Sequence, residues 1–327
     1  MPSQPRRQAI AATIAAGMFF ALGASSTFAQ TAWPSKPLKM VVGFPAGSSP
    51  DLTARLLAEP LSQALGQPVI VENKAGAGGN IGADAVARAT DDHTIGLMIN
   101  GNLTIAKILN PATTYDPLKD LQPVSLIAVS PLVLAAPAGA PVGKAFFDQA
   151  KAQGDKLNYG TPGVGTVAHL GMELLKAKAG IAPVHVPYPG NPQVITGLIG
   201  GQVQMALLPP GLAMAQVKGG KLQAVGVTST GRSSVVPEVA SLADAGVQGL
   251  QLEIWNAVAA PVGMPKAHVQ KLATLLAEIV RRPEIRQKIL NQGWQVAGTS
   301  PEGLAKRIAA DTAAMAEVIQ KNNIKPN

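Results

Sequence analysis

Strand-length apolar runs alternate with helix-period stretches along almost the whole of this chain, and few folds accept that alternation. Leu38 to Phe44 reads as a strand, and Leu52 to Leu65 reads as a helix with Leu52, Leu56, Leu61 and Leu65 near one face. Pro60 falls inside that helix and is expected to kink or shorten it. Val69 to Val71, Ile81 to Ala89 and Thr94 to Asn100 continue as strand, helix and strand. The same alternation restarts after residue 145: helices over Phe146 to Ala152, Val167 to Ala179, Gln193 to Ile199 and Gly211 to Lys218, and strands over Leu157 to Gly160, Val184 to Val186, Val203 to Leu208 and Leu222 to Thr228. This order predicts parallel sheets covered by helices on their faces. Pro265, Pro283 and Pro301 head three helices in the tail, at first-turn positions where a missing N–H is harmless.

Two longer strand-like stretches, Val124 to Ala136 and Leu250 to Ala260, break the alternation and divide the chain. If both pass between lobes, residues 30–130 and 257–327 build lobe one and residues 131–256 build lobe two. Such a double crossing permits rigid-body closure.

Two glycine-rich turns follow strand-like runs and lead into helices. One is Phe44-Pro45-Ala46-Gly47-Ser48-Ser49-Pro50-Asp51, the other Tyr159-Gly160-Thr161-Pro162-Gly163-Val164-Gly165-Thr166. First-turn amides lack intrahelical partners and the helix dipole favours negative charge, so each turn is a candidate anion site. Gly47 lets backbone approach a ligand closely, Ser48 and Ser49 add hydroxyls, and Asp51 or Ser49 can cap the following helix. An ordinary strand-to-helix turn with a good cap is the competing reading. The second turn places its glycines in the reverse order of a dinucleotide fingerprint, and the next strand ends at Pro187-Tyr188 without an acidic residue for a ribose. Dinucleotide binding is therefore rejected, while the Thr161 and Thr166 hydroxyls and the turn amides remain available. The glycine-dense stretch Lys74 to Asn80 reads as a conformational device rather than a binding surface.

The first 29 residues stand apart. Arg6 and Arg7 precede an apolar segment that ends in Thr27-Phe28-Ala29, the pattern of a cleavable secretory signal peptide. The formal charge is +8 over 327 residues and falls to +6 without Arg6 and Arg7. Aromatics make up 4% and no basic cluster accompanies them, so a nucleic-acid partner is not expected. There is no cysteine, so the body folds on its apolar core alone, for which 47% hydrophobic residues suffice. His93, His169, His185 and His268 fall at no metal-ligand spacing, and neither a metal nor a cofactor is expected. His169 lies in the first turn of the helix after the second glycine turn, where it can face a ligand or cap its own loop. No nucleophile elbow, zinc-protease motif or phosphate loop occurs, so no catalytic residue is assigned and the chain is not expected to be an enzyme.

Taken together, the motifs resemble a known family. They are Trp33-Pro34-Ser35-Lys36-Pro37, Phe44-Pro45-Ala46-Gly47 with Asp51, Val71-Glu72-Asn73 running into Gly76-Ala77-Gly78-Gly79-Asn80-Ile81-Gly82-Ala83, Tyr115-Asp116-Pro117, Asn158-Tyr159-Gly160 with Gly163, Gly165-Thr166 and His169-Leu170, and His185-Val186-Pro187-Tyr188 with Gly190. Gly200-Gly201-Gln202-Val203, the stretch Gly219 to Leu222, Val227-Thr228-Ser229 with Arg232, Pro237 and Ala260-Pro261 complete the series. Through them the chain resembles the extracytoplasmic solute receptors of tripartite tricarboxylate transporters, the Bug proteins. The resemblance implies an α/β architecture, the type II periplasmic-binding-protein fold, with two α/β lobes joined by two crossover strands. It implies a periplasmic, monomeric receptor that delivers a small carboxylate to membrane permease subunits. A receptor of the same fold feeding a sensor is the alternative. Carried onto this chain, the ligand site would comprise Phe44, Ala46, Gly47, Ser48, Ser49, Asp51, Asn100 and Asn102 in lobe one, and Thr161, Val164, Gly165, Thr166, His169 and Tyr188 in lobe two. Bulky substitution at Gly47 or Gly165 is expected to abolish binding with little loss of stability.

The chain departs from the family pattern twice. Pro50 removes an amide donor from the first turn. The strand after Gly201, which in the family commonly ends in an aspartate near the site, here ends Leu207-Leu208-Pro209-Pro210. Without that acid an ammonium group loses its natural partner, which favours a plain carboxylate or a more apolar acid over an amino acid.

Overall fold

A computed structural model describes residues 33–322 and 324. The segment read as a signal peptide lies outside the described residues. From Lys36 onward the chain forms one unit, built on two sheets with helices packed against them. Lobe one carries β1 (Leu38–Val42), β2 (Val69–Asn73), β3 (Thr94–Ile99), β4 (Leu121–Pro131), β10 (Glu253–Pro261) and β11 (Gln295–Val296), in the order β11-β4-β10-β3-β1-β2. Lobe two carries β5 (Val133–Pro137), β6 (Asn158–Thr161), β7 (Val184–Pro187), β8 (Met205–Leu208) and β9 (Leu222–Val227), in the order β7-β6-β8-β5-β9.

The parallel pairing expected from the alternation covers only three strands of each sheet. Strands β2, β1 and β3 run parallel, as do β7, β6 and β8. The strands that connect the lobes enter from the opposite end and therefore pair antiparallel: β10 lies between β3 and β4, and β5 between β8 and β9. The long apolar stretch from Val124 is accordingly two strands, β4 and β5, each in its own sheet and separated by the single residue Leu132. The return passage runs from β9 through residues 228–252 into β10.

The helices that matter for the site start at the carboxyl ends of strands. They are α1 (Ser49–Leu65), α2 (Asn80–Ala87), α3 (Asn100–Thr104), α6 (Val167–Ala179) and α7 (Asn191–Ile199). Helix α1 runs unbroken through Pro60, so the proline does not shorten it. Its end is set instead by Gly66 in the left-handed conformation, whose N–H donates to the Ser62 carbonyl at 2.9 Å. Helix α6 is capped at both ends, by Thr166 Oγ1 accepting from the His169 N–H and by left-handed Gly180. Between them, buried Leu170, Leu174 and Leu175 form the inward face, each worth about 1.5–3 kcal/mol when fully buried.

Of the remaining helices, α4 (Ala106–Leu109), α5 (Lys144–Gln153), α8 (Pro210–Lys218), α9 (Lys266–Arg281), α10 (Pro283–Asn291) and α11 (Pro301–Lys321), the last two begin on proline as expected, whereas Pro265 sits one residue before α9. An apolar cluster links the lobes behind the hinge: Ile105 and Leu109 from lobe one and Ile319 from α11 join Leu132, Leu170 and Leu252.

Candidate functional site

The first glycine turn is built around Asp51. Its carboxylate accepts from the Gly47 N–H at 2.9 Å, from Arg55 Nε at 3.1 Å and from Asn73 Nδ2 at 2.8 Å, and Asn73 Nδ2 also reaches the Phe44 carbonyl at 2.9 Å. Burial acts to raise the Asp51 carboxyl, but the hydrogen bonds from Arg55, Asn73 and Gly47 outweigh it and hold the group below the usual carboxylate range. Asp51 is thus spent on shaping the turn. The Ser48 and Ser49 hydroxyls, next to it, are buried without a hydrogen-bond partner in the protein. Buried polar groups are nearly always satisfied, so two adjacent exceptions at a helix start, beside amides that have no intrahelical acceptor, make this turn a candidate anion site.

The second turn is held by its threonines. Thr166 Oγ1 donates to the Gly163 carbonyl at 2.8 Å and accepts from the His169 N–H at 3.3 Å; Thr161 Oγ1 lies 2.7 Å from His185 Nε2. Val167 and Ala168, the first residues of α6, whose amides lack an intrahelical acceptor, line the cavity between the lobes. Behind the turn the His185 ring stacks between Tyr159 (4.8 Å between centroids) and His169 (4.4 Å). The Tyr159 hydroxyl donates to Glu173, which also pairs with Lys176. Burial, and then the His169 neighbour, pull His185 down to about 4; burial lowers His169 as well. Both rings are neutral at neutral pH.

Both turns open onto one cavity between the lobes. Lobe one contributes Phe44, Ser49, Pro50, Ile99, Ile254, Asn256 and Trp294; Leu132 lies at the hinge; lobe two contributes Pro162, Thr166, Val167, Ala168, Asn191, Leu207 and Pro209. The space open to the centre of a water-sized molecule is about 40 Å³, against ~10–15 Å³ for a single water. Among the described residues, no charged side chain lines it. Its polar character comes from two helix N-termini, two asparagines, Ser49 and Thr166 within a largely apolar wall.

The lobes touch in front of this cavity through glycine. A Cβ on Gly78 would lie 2.4 Å from the Val164 carbonyl oxygen, one on Gly101 2.7 Å from the Gly165 carbonyl oxygen, and one on Gly190 2.7 Å from Pro45 Cδ. The Lys74 to Asn80 stretch, expected to be a conformational device, is where lobe one meets the second turn. Asn102 fixes it, donating to the Gly78 carbonyl at 3.0 Å and to Asn80 Oδ1 at 2.8 Å, while the buried Tyr115 hydroxyl donates to the Asn102 carbonyl at 2.7 Å.

Of the residues expected at the site, Phe44, Ser49 and Thr166 line the cavity. Asp51 and Thr161 hold the turns, and Ser48, its hydroxyl without a partner, adjoins Ser49 at the start of α1; Ala46 and Gly47 are exposed on the first turn. Val164 and Gly165 supply carbonyls to the lobe contact, and Asn102 supports it from the other side. Asn100 donates to the Glu253 carbonyl at 3.0 Å and leaves Oδ1 buried without a partner. His169 belongs to the ring stack, and the Tyr188 hydroxyl points to Gln202. Gly47 and Gly165 both have left-handed φ, +78° and +79°, so any side chain there brings backbone strain besides its bulk.

Sequence reasoning missed Asn191, Asn256, Ile254 and Trp294. A signal for the asparagines was present. Asn191 opens a helix after the strand that ends at Pro187, the same strand-to-helix context as the two turns, and Asn256 is a lone amide inside an apolar strand. The strand end where the aspartate is missing does reach the site, through Leu207 and Pro209.

The family model of the tripartite tricarboxylate transporter family receptor matches residues 53–324. A UPF0065 protein from the tcbD-tcbE intergenic region of Pseudomonas sp. strain P51 is 33% identical over 96% of this chain and 95% of its own length. Protein BugT of Bordetella pertussis is 31% identical over 94% and 96%. Among solved structures, a periplasmic transporter superposes with a TM-score of 0.86 at 35% identity, covering 90% of this chain and all (100%) of its own. MatC from Rhodopseudomonas palustris with bound malate gives 0.84 at 29% identity over 88% and 100%, and an R. palustris protein with adipate gives 0.85 at 28% over 90% and 100%.

Proposed function

Since the chain belongs to the receptor family of tripartite tricarboxylate transporters, a family of solute-binding proteins, we propose that it captures a small carboxylate in the periplasm and hands it to the membrane permease subunits of such a transporter. Residues 1–29 direct export and are removed. The mature chain acts as a monomer without cofactor or catalytic chemistry. Two lobes close on the ligand, divided at the passages of the chain at Leu132 and 228–252 rather than at the expected 130/131 and 256/257, because β4 runs to Pro131 and β10 pairs with β4 from Glu253 onward.

One observation carries the carboxylate reading: the N-termini of α1 and α6, from opposite lobes, converge on one cavity that has neither a side-chain cation nor an anion. Backbone amides and hydroxyls hold the carboxylate, with Ser48 and Ser49 on one side and Thr166, Val167 and Ala168 on the other. The remaining expected residues shape these turns or the lobe contact. Hydrogen bonds to a charged group contribute roughly 1.5–3 kcal/mol each. Four or five of them support micromolar affinity, about −8 kcal/mol, after the cost of ordering and closure. The malate and adipate bound by the two R. palustris relatives are carboxylates of the expected size.

Titration calorimetry of the mature protein against mono-, di- and tricarboxylates and amino acids tests this reading. Micromolar binding of one acid, with a smaller radius of gyration in solution scattering, is the expected result. A folded protein that binds none of them overturns it. Uptake of that acid by cells, lost on deletion of the receptor and restored by it, tests the transport role.

A further inference from the structure

Asn256 is fully buried in β10, yet its side-chain oxygen has no hydrogen-bond partner in the protein and the residue faces the cavity. The orientation of its amide is fixed by its neighbours. Nδ2 donates to Thr53 Oγ1 at 3.0 Å, and the Thr53 hydroxyl has already given its proton to the Ser49 carbonyl at 3.1 Å. With that proton on the Ser49 carbonyl, Thr53 Oγ1 acts as the acceptor and Asn256 Nδ2 as the donor to it. The atom that Asn256 presents to the cavity is an acceptor. The pairing of β10 with β4 also shifts register between Asn256 and Ala257, the kind of irregularity that re-aims a side chain beside a site.

A buried acceptor asks for a donor. It repels a second carboxylate, which brings only acceptors at neutral pH. It also gives poor support to an ammonium group, because no acidic side chain lines the cavity and the nearby Asp51 is engaged by Gly47, Arg55 and Asn73. The cavity is also lined by the apolar Leu132, Leu207, Pro209, Ile254 and Trp294, and by Asn191, whose Oδ1 is a second buried acceptor without a partner in the protein. Resting on the reading of a carboxylate receptor, we infer that the ligand is a hydroxy-monocarboxylate: one carboxylate at the helix N-termini, one hydroxyl donating to Asn256 Oδ1, and an uncharged apolar remainder. Thr53 is a positioning residue for this recognition, since it holds the amide in the accepting orientation.

Calorimetry with four-carbon acids isolates the substituent: butyrate, the 2-, 3- and 4-hydroxybutyrates, 4-aminobutyrate and succinate. At least one hydroxybutyrate is expected to bind tenfold or more tighter than butyrate, succinate and 4-aminobutyrate, because a site that binds a hydroxyl leaves its own group unpaired with the deoxy analogue. Asn256→Leu is expected to collapse the hydroxyl-to-deoxy ratio to within about twofold. Thr53→Val, which keeps Asn256 and the side-chain shape but frees the amide to turn, is expected to lower the same ratio and to favour succinate relative to wild type. Equal binding of butyrate and every hydroxybutyrate overturns the inference and means that water satisfies Asn256. Tightest binding of succinate or 4-aminobutyrate overturns it while leaving the carboxylate receptor intact, as does a ratio unchanged in both variants. Absence of binding by any acid overturns the receptor reading itself and this inference with it.

Discussion

Leu132 and Thr228 exchange two hydrogen bonds at the point where the chain passes between its lobes. The Leu132 N–H donates to Thr228 Oγ1 at 2.9 Å, and the Thr228 N–H donates to the Leu132 carbonyl at 2.9 Å. Thr228 also clasps the return passage, its hydroxyl donating to the Leu252 carbonyl at 2.8 Å and its own carbonyl accepting from the Leu252 N–H at 3.1 Å. One hydroxyl thus ties both crossings into a single hinge. Thr228→Val keeps the volume but leaves a buried N–H and a buried carbonyl without this partner. It is expected to cost about 2–6 kcal/mol, from about 1–3 for each of the two orphaned groups. Thr228→Ser keeps both bonds and is expected to cost less than about 1.5 kcal/mol. Urea unfolding of the two variants checks this; equal losses would mean that the hydroxyl does not bridge the crossings.

The glycine contact at the cleft mouth makes a separate prediction. A side chain on Gly78 meets the Val164 carbonyl, which is backbone and cannot rotate away. Gly78→Ala is therefore expected to wedge the lobes apart, weaken carboxylate binding at least tenfold (about 1.4 kcal/mol) and enlarge the radius of gyration of the ligand-saturated protein. Gly231→Ala, which meets nothing within 4 Å, is expected to leave both unchanged. Solution scattering at saturating ligand separates the two, and a Gly78→Ala protein as compact as wild type would refute the wedge.

Most of the architecture was legible because each strand or helix announces itself by local period. The two glycine turns were legible for the same reason: Gly47 and Gly165 stand in left-handed conformations at strand ends, a local requirement that composition reveals. The antiparallel strands β5 and β10 were less so, since an apolar run looks alike in either direction and only the path between sheets fixes its sense. Pro60 fits within α1 because packing of the buried helix overrides a propensity that acts one residue at a time. The site split along the same line. Ser49 and Thr166 belong to turns with a local signature. Asn256 and Trp294 come from elsewhere in the chain and reach the cavity only through the sheet order. Asp51, expected to face the ligand, instead binds Gly47 and Asn73, a choice made by a strand that lies 22 residues away from it.

Asp51 therefore governs the shape of the first turn. Asp51→Asn replaces an oxygen by an amide that meets the donors of Gly47, Asn73 or Arg55. It is expected to destabilise the fold by about 2–3 kcal/mol, the scale of one hydrogen bond to a charged group, and to weaken binding through disorder of the Ser48–Ser49 cradle. Denaturation and calorimetry on the same sample check both; weaker binding with unchanged stability would return Asp51 to the ligand.

The ring stack behind the second turn makes stability depend on pH without making binding do so. His169 and His185 have native values below the usual 6.5, His185 at about 4, chiefly through burial. Between pH 6.5 and about 4 the unfolded chain takes up protons that the native chain refuses, so stability falls as pH falls through this window and is flat above it. The depressed Asp51 acts at lower pH: its contribution is complete above the unfolded value of 3.8 and is lost as pH drops through its native value. The His185 ring against Thr161, at about 4, stays neutral over this range and His169 is held below its usual value by burial, so the Thr161 and Thr166 turn keeps its shape and affinity for a strong carboxylic acid is expected to change little between pH 7.5 and 5.5. Melting temperature over the same range is expected to decline, and less steeply in His185→Gln. Melts and calorimetry at matched pH decide the matter. A parallel loss of affinity and stability, or an unaltered slope in the variant, would show that the stack titrates in the native state or contributes nothing.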